Sequence, residues 1–308
     1  MDKVVVGVPT FRRTQGLDRV LTSLESLSGL TNITVLVADN DPTKRTARDV
    51  VEAKLAGGYK WPIEIISVTE RGISQARNAL LSRAFLDKDT IALAMIDDDQ
   101  WVEPNWLIEL INTQTATGAD VVGSWTKPDF GGPPPDWSAG LAVFWRMPKR
   151  EGPCELIEST CGVLVTRAVF ERLGRPFFDP VFSLIGGGDK EYFSRLKRGG
   201  ATFAFSSRSV CYEVFEADRA SPGWAKRRAY RIGATDVALL RSLPLNTTQT
   251  LKELLTIPAG IAVGALEAIA SSSKSRRLRG ELRIHRALGK ASAFAGKRFE
   301  AYAATSGS

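Results

Sequence analysis

Residues 92–107, ALAMIDDDQWVEPNWL, decide how the chain is read: an apolar run from Ile91 to Ile96 stops abruptly at three adjacent carboxylates, Asp97, Asp98 and Asp99. The pattern is a strand that runs into charge. Three neighbouring carboxylates repel one another and are costly to bury bare, so they need solvent or a cation beside them. Mg²⁺ or Mn²⁺ takes oxygen ligands and is commonly held by one or two protein carboxylates, with phosphate oxygens and water completing its shell. The stretch therefore reads first as a metal–diphosphate seat, with a solvated Asp-rich turn as the alternative that these residues alone leave open.

Upstream the same alternation recurs. KVVVGV (residues 3–8) is an apolar run closed by Pro9-Thr10, and LDRVLTSLESL after it has apolar residues at helical spacing. ITVLVA ends in Asp39-Asn40-Asp41-Pro42 before a helix near Thr46–Leu55, and IEIISV ends in Thr69-Glu70-Arg71-Gly72 before a helix around Ser74–Phe85. Strand–helix units repeated in this way imply an α/β fold, a mainly parallel sheet with helices on both faces. In such sheets ligands bind outside the carboxyl ends of the strands, where Pro9, Thr10, Asp39, Arg71 and the aspartate run all fall. Each has a plainer reading too: Asp39 and Asn40 form turns well, and Arg71 or Arg77 suits an ion pair with a surface carboxylate. No G-x-G-x-x-G follows the first strand and no G-x-x-x-x-G-K-[ST] occurs, which removes the main support for dinucleotide oxidoreductases and P-loop enzymes.

The totals narrow the class. With 308 residues, 44% hydrophobic and 24% charged, the chain has the makeup of a globular protein. Three cysteines without metal-like spacing suggest reduced thiols and a cytoplasmic setting, and the N-terminus enters a strand without a signal-like segment. The formal charge of +7 is concentrated in the tail, where residues 244–308 hold ten Lys or Arg against four Glu. A nucleic-acid-binding body would carry its own basic face, so no nucleic-acid partner is expected.

Beyond Gly118, DVVGSW reads as a strand and TKPDFGGPPPDWSAG as an irregular, lid-like loop. Trp125, Trp137 and Trp145 could stack on a sugar ring or fill core, with core favoured for at least one. CGVLVTRAVFERLG reads as a strand and a short helix, Thr202–Phe205 and Val210–Glu213 as two closing strands, and Pro222–Arg241 as a long helix. In FFDPVFSLIGGGDKEYFSRLKRGG, three glycines precede Asp189 at the start of a helix, which suits either a capping residue or a carboxylate held rigidly beside a cleft. The only histidine, His285, lies in the tail, so a proton acceptor in the body is expected to be Asp or Glu.

VGVPTFRR, VLVADND, ERGISQARN, IDDDQWVEPNWL, GGGDKEYFSRLKRGG and EADRASPGW, in this order over roughly residues 3–235, resemble family 2 glycosyltransferases of the GT-A fold. The resemblance is strongest to bacterial transferases that build exopolysaccharide units, of the succinoglycan glucosyltransferase type, and extends to the tail segment LGKASAFAGKRFEAY. It implies a catalytic domain over 1–243, with a nucleotide-sugar half to about 125 and an acceptor half from 126, followed by a basic helical tail over 244–308. It also implies an inverting transfer of a sugar, glucose first among candidates, from a nucleotide-diphosphate donor, UDP-linked by the same resemblance, with Mn²⁺ or Mg²⁺ as cofactor. Carried over by motif, Pro9, Thr10, Arg12 and Asp39 line the base and ribose pocket with Arg71 and Asn78 nearby. Asp97 and Asp98 face ribose or metal, Asp99 is the principal metal ligand with Asp97 beside it, and Asp189 is the catalytic base. Two departures stand out: Gly188 replaces the acid that commonly precedes the base, and Tyr212 stands where a His often precedes Glu213.

In the tail, an apolar segment from Leu254 to Leu266, interrupted by Pro258, reads as too short to span a bilayer. With the basic residues that follow, it suits an interfacial anchor over 251–290 on the inner face of the cell membrane, useful for a polyprenyl-diphosphate-linked saccharide acceptor. A helical pair packed on the body, or a dimer contact, is the alternative. Two other functions compete: a sugar-phosphate nucleotidyltransferase, for which VPTFRRTQG is poor in glycine, and a non-catalytic nucleotide-sugar-binding relative, against which Asp189 argues.

Overall fold

The computed structural model describes residues 3–173, 177–183, 185–242 and 247–297; the junction at 243/244 and the tail residues beyond 297 lie outside these. The first half alternates as its periodicity requires: β1 (Lys3–Thr10), α1 (Thr14–Glu25), β2 (Ile33–Asp39), α2 (Thr46–Ala56), β3 (Ile63–Ser67), α3 (Ile73–Ala84) and β4 (Thr90–Met95). A short β5 (Gln100–Val102), α4 (Trp106–Thr117) and β6 (Val121–Asp129) follow, then β7 (Gly152–Cys154), β8 (Val163–Thr166), α5 (Arg167–Arg172), α6 (Gly188–Arg198) and β9 (Phe203–Val214). Three long helices close the described chain: α7 (Pro222–Ser242), α8 (Thr247–Ala270) and α9 (Lys274–Phe294).

The strands form one mixed sheet in the order β3-β2-β1-β4-β8-β6-β9-β5, with β7 paired to β9. β1 to β4 are mutually parallel, so the ends of β1, β2 and β4 converge on one edge. β8 runs antiparallel to β4 and to β6, which makes the second half of the sheet mixed. Helices cover both faces. Alternation along β1 sends Val4, Val6 and Val8 toward Leu17, Leu21 and Leu24 of α1 and Trp106 of α4. Val5 faces the other way, into a core with Leu80 of α3, Val169 of α5 and Tyr192 of α6. Truncating any of the fully buried α1 leucines to alanine should cost about 2–5 kcal/mol.

Three expectations are corrected. The two closing strands are one continuous β9, whose pairing with β6 jumps from Ser124↔Ser206 to Trp125↔Val210, so the polar SSRS segment is absorbed as an irregularity rather than a turn. β6 runs on through Lys127-Pro128-Asp129, into what reads from sequence as loop. Pro258 does not interrupt α8, and Thr250–Ala270 is long and apolar enough, by length and composition, to cross a membrane. The tail is also tied to the body. Leu278 of α9 is buried with Leu141, Phe144, Phe215 and Ala225, in a cluster that also takes up Trp137 and Trp145. Trp125 packs against the α3-side core and donates to the Arg146 carbonyl at 3.1 Å. Its indole, like those of Trp137 and Trp145, is therefore packing material.

Candidate active site

The aspartate run is a tight turn between β4 and β5. Ile96 N–H still donates to the Gly7 carbonyl at 3.1 Å, and Gln100 N–H closes the turn onto the Asp97 carbonyl at 3.1 Å. Because the chain reverses here, three consecutive side chains leave in different directions. Asp97 takes two bonds from Arg77 Nη2, at 3.0 and 3.2 Å. Asp98 turns toward β1, accepting from Thr10 Oγ1 at 2.9 Å and from Arg13 Nη1 at 3.0 Å. Asp99 accepts from Arg13 Nη1 at 3.1 Å and from Arg219 Nη1 at 2.9 Å. The cations that the sequence demands beside these carboxylates are, in the first instance, three arginines.

Burial and arginine contact set the electrostatics of each acid. Burial, with repulsion from Asp99, outweighs Arg13 and pushes the Asp98 carboxyl up to about 6. Burial likewise raises Asp97 despite Arg77. Asp99 goes the other way: burial acts to raise it, but Arg219 and Arg13 prevail and hold it below the usual carboxylate range.

Asp189 joins this cluster through Arg77. Gly187 has φ +85°, a left-handed conformation that an L side chain rarely adopts, and this turn starts α6 so that Asp189 falls in its first turn. Its Oδ1 accepts from Arg77 Nη1 at 2.6 Å, and its Oδ2 accepts from the N–H and the hydroxyl of Thr160, at 3.1 and 3.0 Å. The buried Arg77 thus spans from the turn to the helix start. A carboxylate oxygen can accept two bonds, and Oδ1 keeps one position open on a side chain that is 23% exposed.

Behind Asp99 lies a second charged node. The buried Glu213, at the end of β9, accepts from Arg228 at 2.9 Å and from Arg146 and Arg219 at 3.4 Å. Burial acts to raise its pKa, but Arg228 and Arg146 prevail and depress it. Tyr212, where the resembled family often has His, stacks on Trp101 at 4.0 Å between ring centroids and donates to Glu103 at 2.8 Å.

The remaining sequence-selected residues divide. Pro9, Thr10 and Asp39 are buried at the ends of β1 and β2, Pro9 opposite Ala38 and Thr10 opposite Asp39. Asp39 accepts from Asp41 N–H at 3.1 Å, and burial raises its pKa. Arg12 has φ +57° and pairs with Asp41. Arg12 and the exposed Arg71 each place a guanidinium 4.9 Å from the centre of the Phe11 ring, forming a cationic rim over the β1–β2 edge. Asn78 faces elsewhere: its amide donates to the Phe178 carbonyl at 2.9 Å and accepts from Phe178 N–H at 2.7 Å, clamping the segment that leads to α6.

Sequence reasoning passed over Arg13, Thr160 and Arg219 and gave Arg77 only a surface pairing. Arg13 lies in VPTFRR, Arg77 in ERGISQARN and Arg219 in EADRASPGW, so a surplus of arginine in the acid-rich motifs was the available signal. Thr160 gave none, because its role depends on a contact across 29 positions. A groove of about 950 Å³ between α1 and α2, over Thr14, Asp18, Thr46 and Val50, has none of these carboxylates in its lining and does not define the site.

The carboxylates of the site can hold a metal only in part. Among the described residues no three His, Cys, Asp or Glu side chains are grouped to hold an ion by themselves. Asp99, 22% exposed and with one oxygen in the two arginine contacts, fits an ion whose other ligands are diphosphate oxygens and water. Both Asp97 oxygens are engaged by Arg77, so a second protein ligand there would need that pair to open.

An acidic strand-edge turn, an arginine-bound carboxylate near it and a mainly parallel sheet fit a nucleotide-sugar transferase of the GT-A type. The profile of glycosyl transferase family 2 matches residues 5–173, and the chain belongs to that family of enzymes. Among curated proteins it is similar to succinoglycan biosynthesis protein ExoM of Rhizobium meliloti strain 1021, 32% identical over 243 residues, covering 76% of this chain and 74% of that protein. Among solved structures it is similar to mannosyltransferase PcManGT from Pyrobaculum calidifontis, in complex with GDP-Man and Mn²⁺. The TM-score is 0.64 at 14% identity, over 96% of this chain and 88% of the other. It is also similar to residues 1–349 of S. aureus TarS in complex with UDP, with a TM-score of 0.53 at 14% identity, over 97% of this chain and 93% of the other. At these identities the two structures speak for the fold.

Proposed function

We propose that the protein is an inverting glycosyltransferase moving a sugar, glucose first among candidates, from a UDP-linked donor to a hydroxyl of a growing exopolysaccharide acceptor carried on a polyprenyl diphosphate at the cytoplasmic face of the membrane. The observation that carries this reading is the Arg77 bridge, which fixes the Asp189 carboxylate at the same edge as the aspartate turn.

Pro9, Thr10, Arg12, Asp39 and Arg71 form the nucleoside end of the site, and Phe11 between the two guanidinium groups offers a flat surface there. Asp99 would hold Mn²⁺ or Mg²⁺, which supplies Lewis-acid stabilisation of the departing diphosphate when bound. Arg13 and Arg219, within reach of the same carboxylate, are placed to donate to phosphate oxygens. Asp189 takes the proton of the acceptor hydroxyl through the open position on Oδ1 as that hydroxyl attacks the anomeric carbon from the face opposite the leaving group, which inverts its configuration. Thr160 and Arg77 hold the carboxylate against rotation while this happens. The similarity to ExoM supports the polysaccharide context.

The test is release of nucleoside diphosphate from a panel of nucleotide sugars, UDP-glucose first, with Mn²⁺ or Mg²⁺ and with or without membrane lipid extract, for wild type and Asp189→Asn. Release that needs Asp189 and rises with lipid extract is the expected result. Absence of nucleotide-sugar binding, read by thermal shift with metal present, would sink the proposal.

A further inference from the structure

The outward face of α8 is inverted relative to a helix that borders water. Leu251, Leu254, Leu255, Ile261, Leu266 and Ile269 are all exposed, Leu266 to 68% and Ile269 to 81%. At helical spacing these six positions fall within an arc of about 140°. Glu253, Thr256 and Glu267 of α8 point the other way, toward α9. Glu253 and Thr256 meet Lys290 of α9 at 2.5 and 3.0 Å, and Glu267 meets Arg283 at 2.9 Å. A surface helix normally turns its charges to water and its leucines to the body, and an exposed apolar patch of this extent marks an interaction surface.

We propose that α8 is an in-plane docking helix whose occupant is an anionic lipid bilayer. Charge complementarity selects that occupant. Lys252 near the start of α8 and Lys274, Arg276, Arg277 and Arg279 just past its end are exposed, whereas both acids of α8 are turned toward α9. An apolar stripe bordered by cations fits acyl chains below and anionic headgroups around them.

The packing also decides between lying in the membrane and crossing it. Length alone would allow Thr250–Ala270 to cross. However, α9 lies along α8 at backbone contact, where a Cβ on Gly264 would come within 2.6 Å of the Gly280 carbonyl oxygen. A crossing would therefore drag Arg283 and Lys290 into hydrocarbon, whereas docking in the plane leaves them on the aqueous side. The proposal goes beyond the glycosyl-transfer reading and does not rest on it, because bilayer binding requires neither donor nor acceptor.

The experiment is flotation of the full chain with phosphatidylcholine vesicles, with and without phosphatidylglycerol, at low and raised salt. Wild type should float with the anionic vesicles and less so in salt. Leu255→Glu with Leu266→Glu should weaken binding by roughly tenfold or more without altering the thermal melt, because both side chains face outward. Neutralising Lys274, Arg276, Arg277 and Arg279 to Gln should remove the preference for anionic lipid. In a Leu266→Trp variant, fluorescence should be quenched more by bromines placed high on the acyl chains than by bromines near the bilayer centre. Three results would overturn the proposal: no vesicle binding; a lipid-free dimer that the paired Glu substitutions dissolve; or quenching strongest at the bilayer centre.

Discussion

Arg77 and Asp189 are 112 positions apart in sequence and 2.6 Å apart in space. The same guanidinium reaches Asp97 at 3.0 Å, so one buried arginine joins the strand-edge turn to the start of α6. Asp189 and the first carboxylate of the aspartate turn therefore share one partner.

Arg77→Met should leave both acids without their counter-charge in a largely buried setting. The expected loss is about 3–5 kcal/mol of stability, read by urea unfolding. Arg77→Lys restores charge but not the fork, because an ammonium cannot present two separate nitrogens to two carboxylates. It should recover much of the stability while transfer stays impaired, and equal recovery of both would argue against a positioning role.

Asp189→Asn keeps the size of the side chain, and its amide can still meet Thr160. Donor binding should persist while turnover falls by about 10²–10⁴-fold, the usual contribution of a general base. Thr160→Val should give a smaller fall in kcat, since it removes one of the three bonds that orient the carboxylate and leaves those from Arg77 and the backbone N–H of residue 160. Isothermal titration with the donor separates loss of chemistry from loss of binding.

The Asp98 carboxyl is raised from 3.8 to about 6 by burial, with Asp99 adding repulsion. Its folded-state pKa lies above the unfolded one, so between these values the folded state holds the extra proton. The stability this contributes is present below about pH 4 and is lost as pH rises through about 6, a change of roughly 3 kcal/mol. Asp98→Asn cannot ionise. Unfolding free energies of wild type and variant, compared from acid to neutral pH, should diverge in favour of the variant as pH rises. Asp99, held low chiefly against burial by Arg219 and Arg13, contributes with the opposite sign, its stability being lost as pH falls.

The C-terminal helices meet through backbone. A Cβ on Gly233 of α7 would lie 2.0 Å from the Arg286 carbonyl oxygen, and one on Gly289 of α9 would lie 2.0 Å from that of Tyr230. Gly233→Ala or Gly289→Ala should force the helices apart at a cost of about 1–3 kcal/mol. Because Leu278 of α9 is buried with Phe144 and Phe215, the loss should appear in the main thermal transition rather than in a separate early one.

Much of the first half of the sheet was legible in the sequence, for a local reason. Apolar runs that stop at Pro9-Thr10, at Asp39 and at Asp97 specify parallel strands, and parallel strands put those residues on one edge whatever the details of packing. Pro258 misled because its missing N–H is tolerable in a helix whose packing on α9 supplies the cohesion, and SSRS misled because a sheet can absorb extra residues as a bulge.

By itself, then, the sequence determined the parallel strand–helix alternation of the first sheet half, the placement of its polar ends and the need of three adjacent carboxylates for positive charge. Only the tertiary structure decided which cations answer that need. Arg13, Arg77 and Arg219 arrive from the residue before α1, from α3 and from the segment before α7, and no local pattern encodes the meeting of residues up to 120 positions apart. The same holds for the outward apolar face of α8. Hydropathy marks the helix as apolar, but which side faces water follows from where α9 binds it, and that is fixed by close glycine contacts and by ion pairs across 37 and 16 positions.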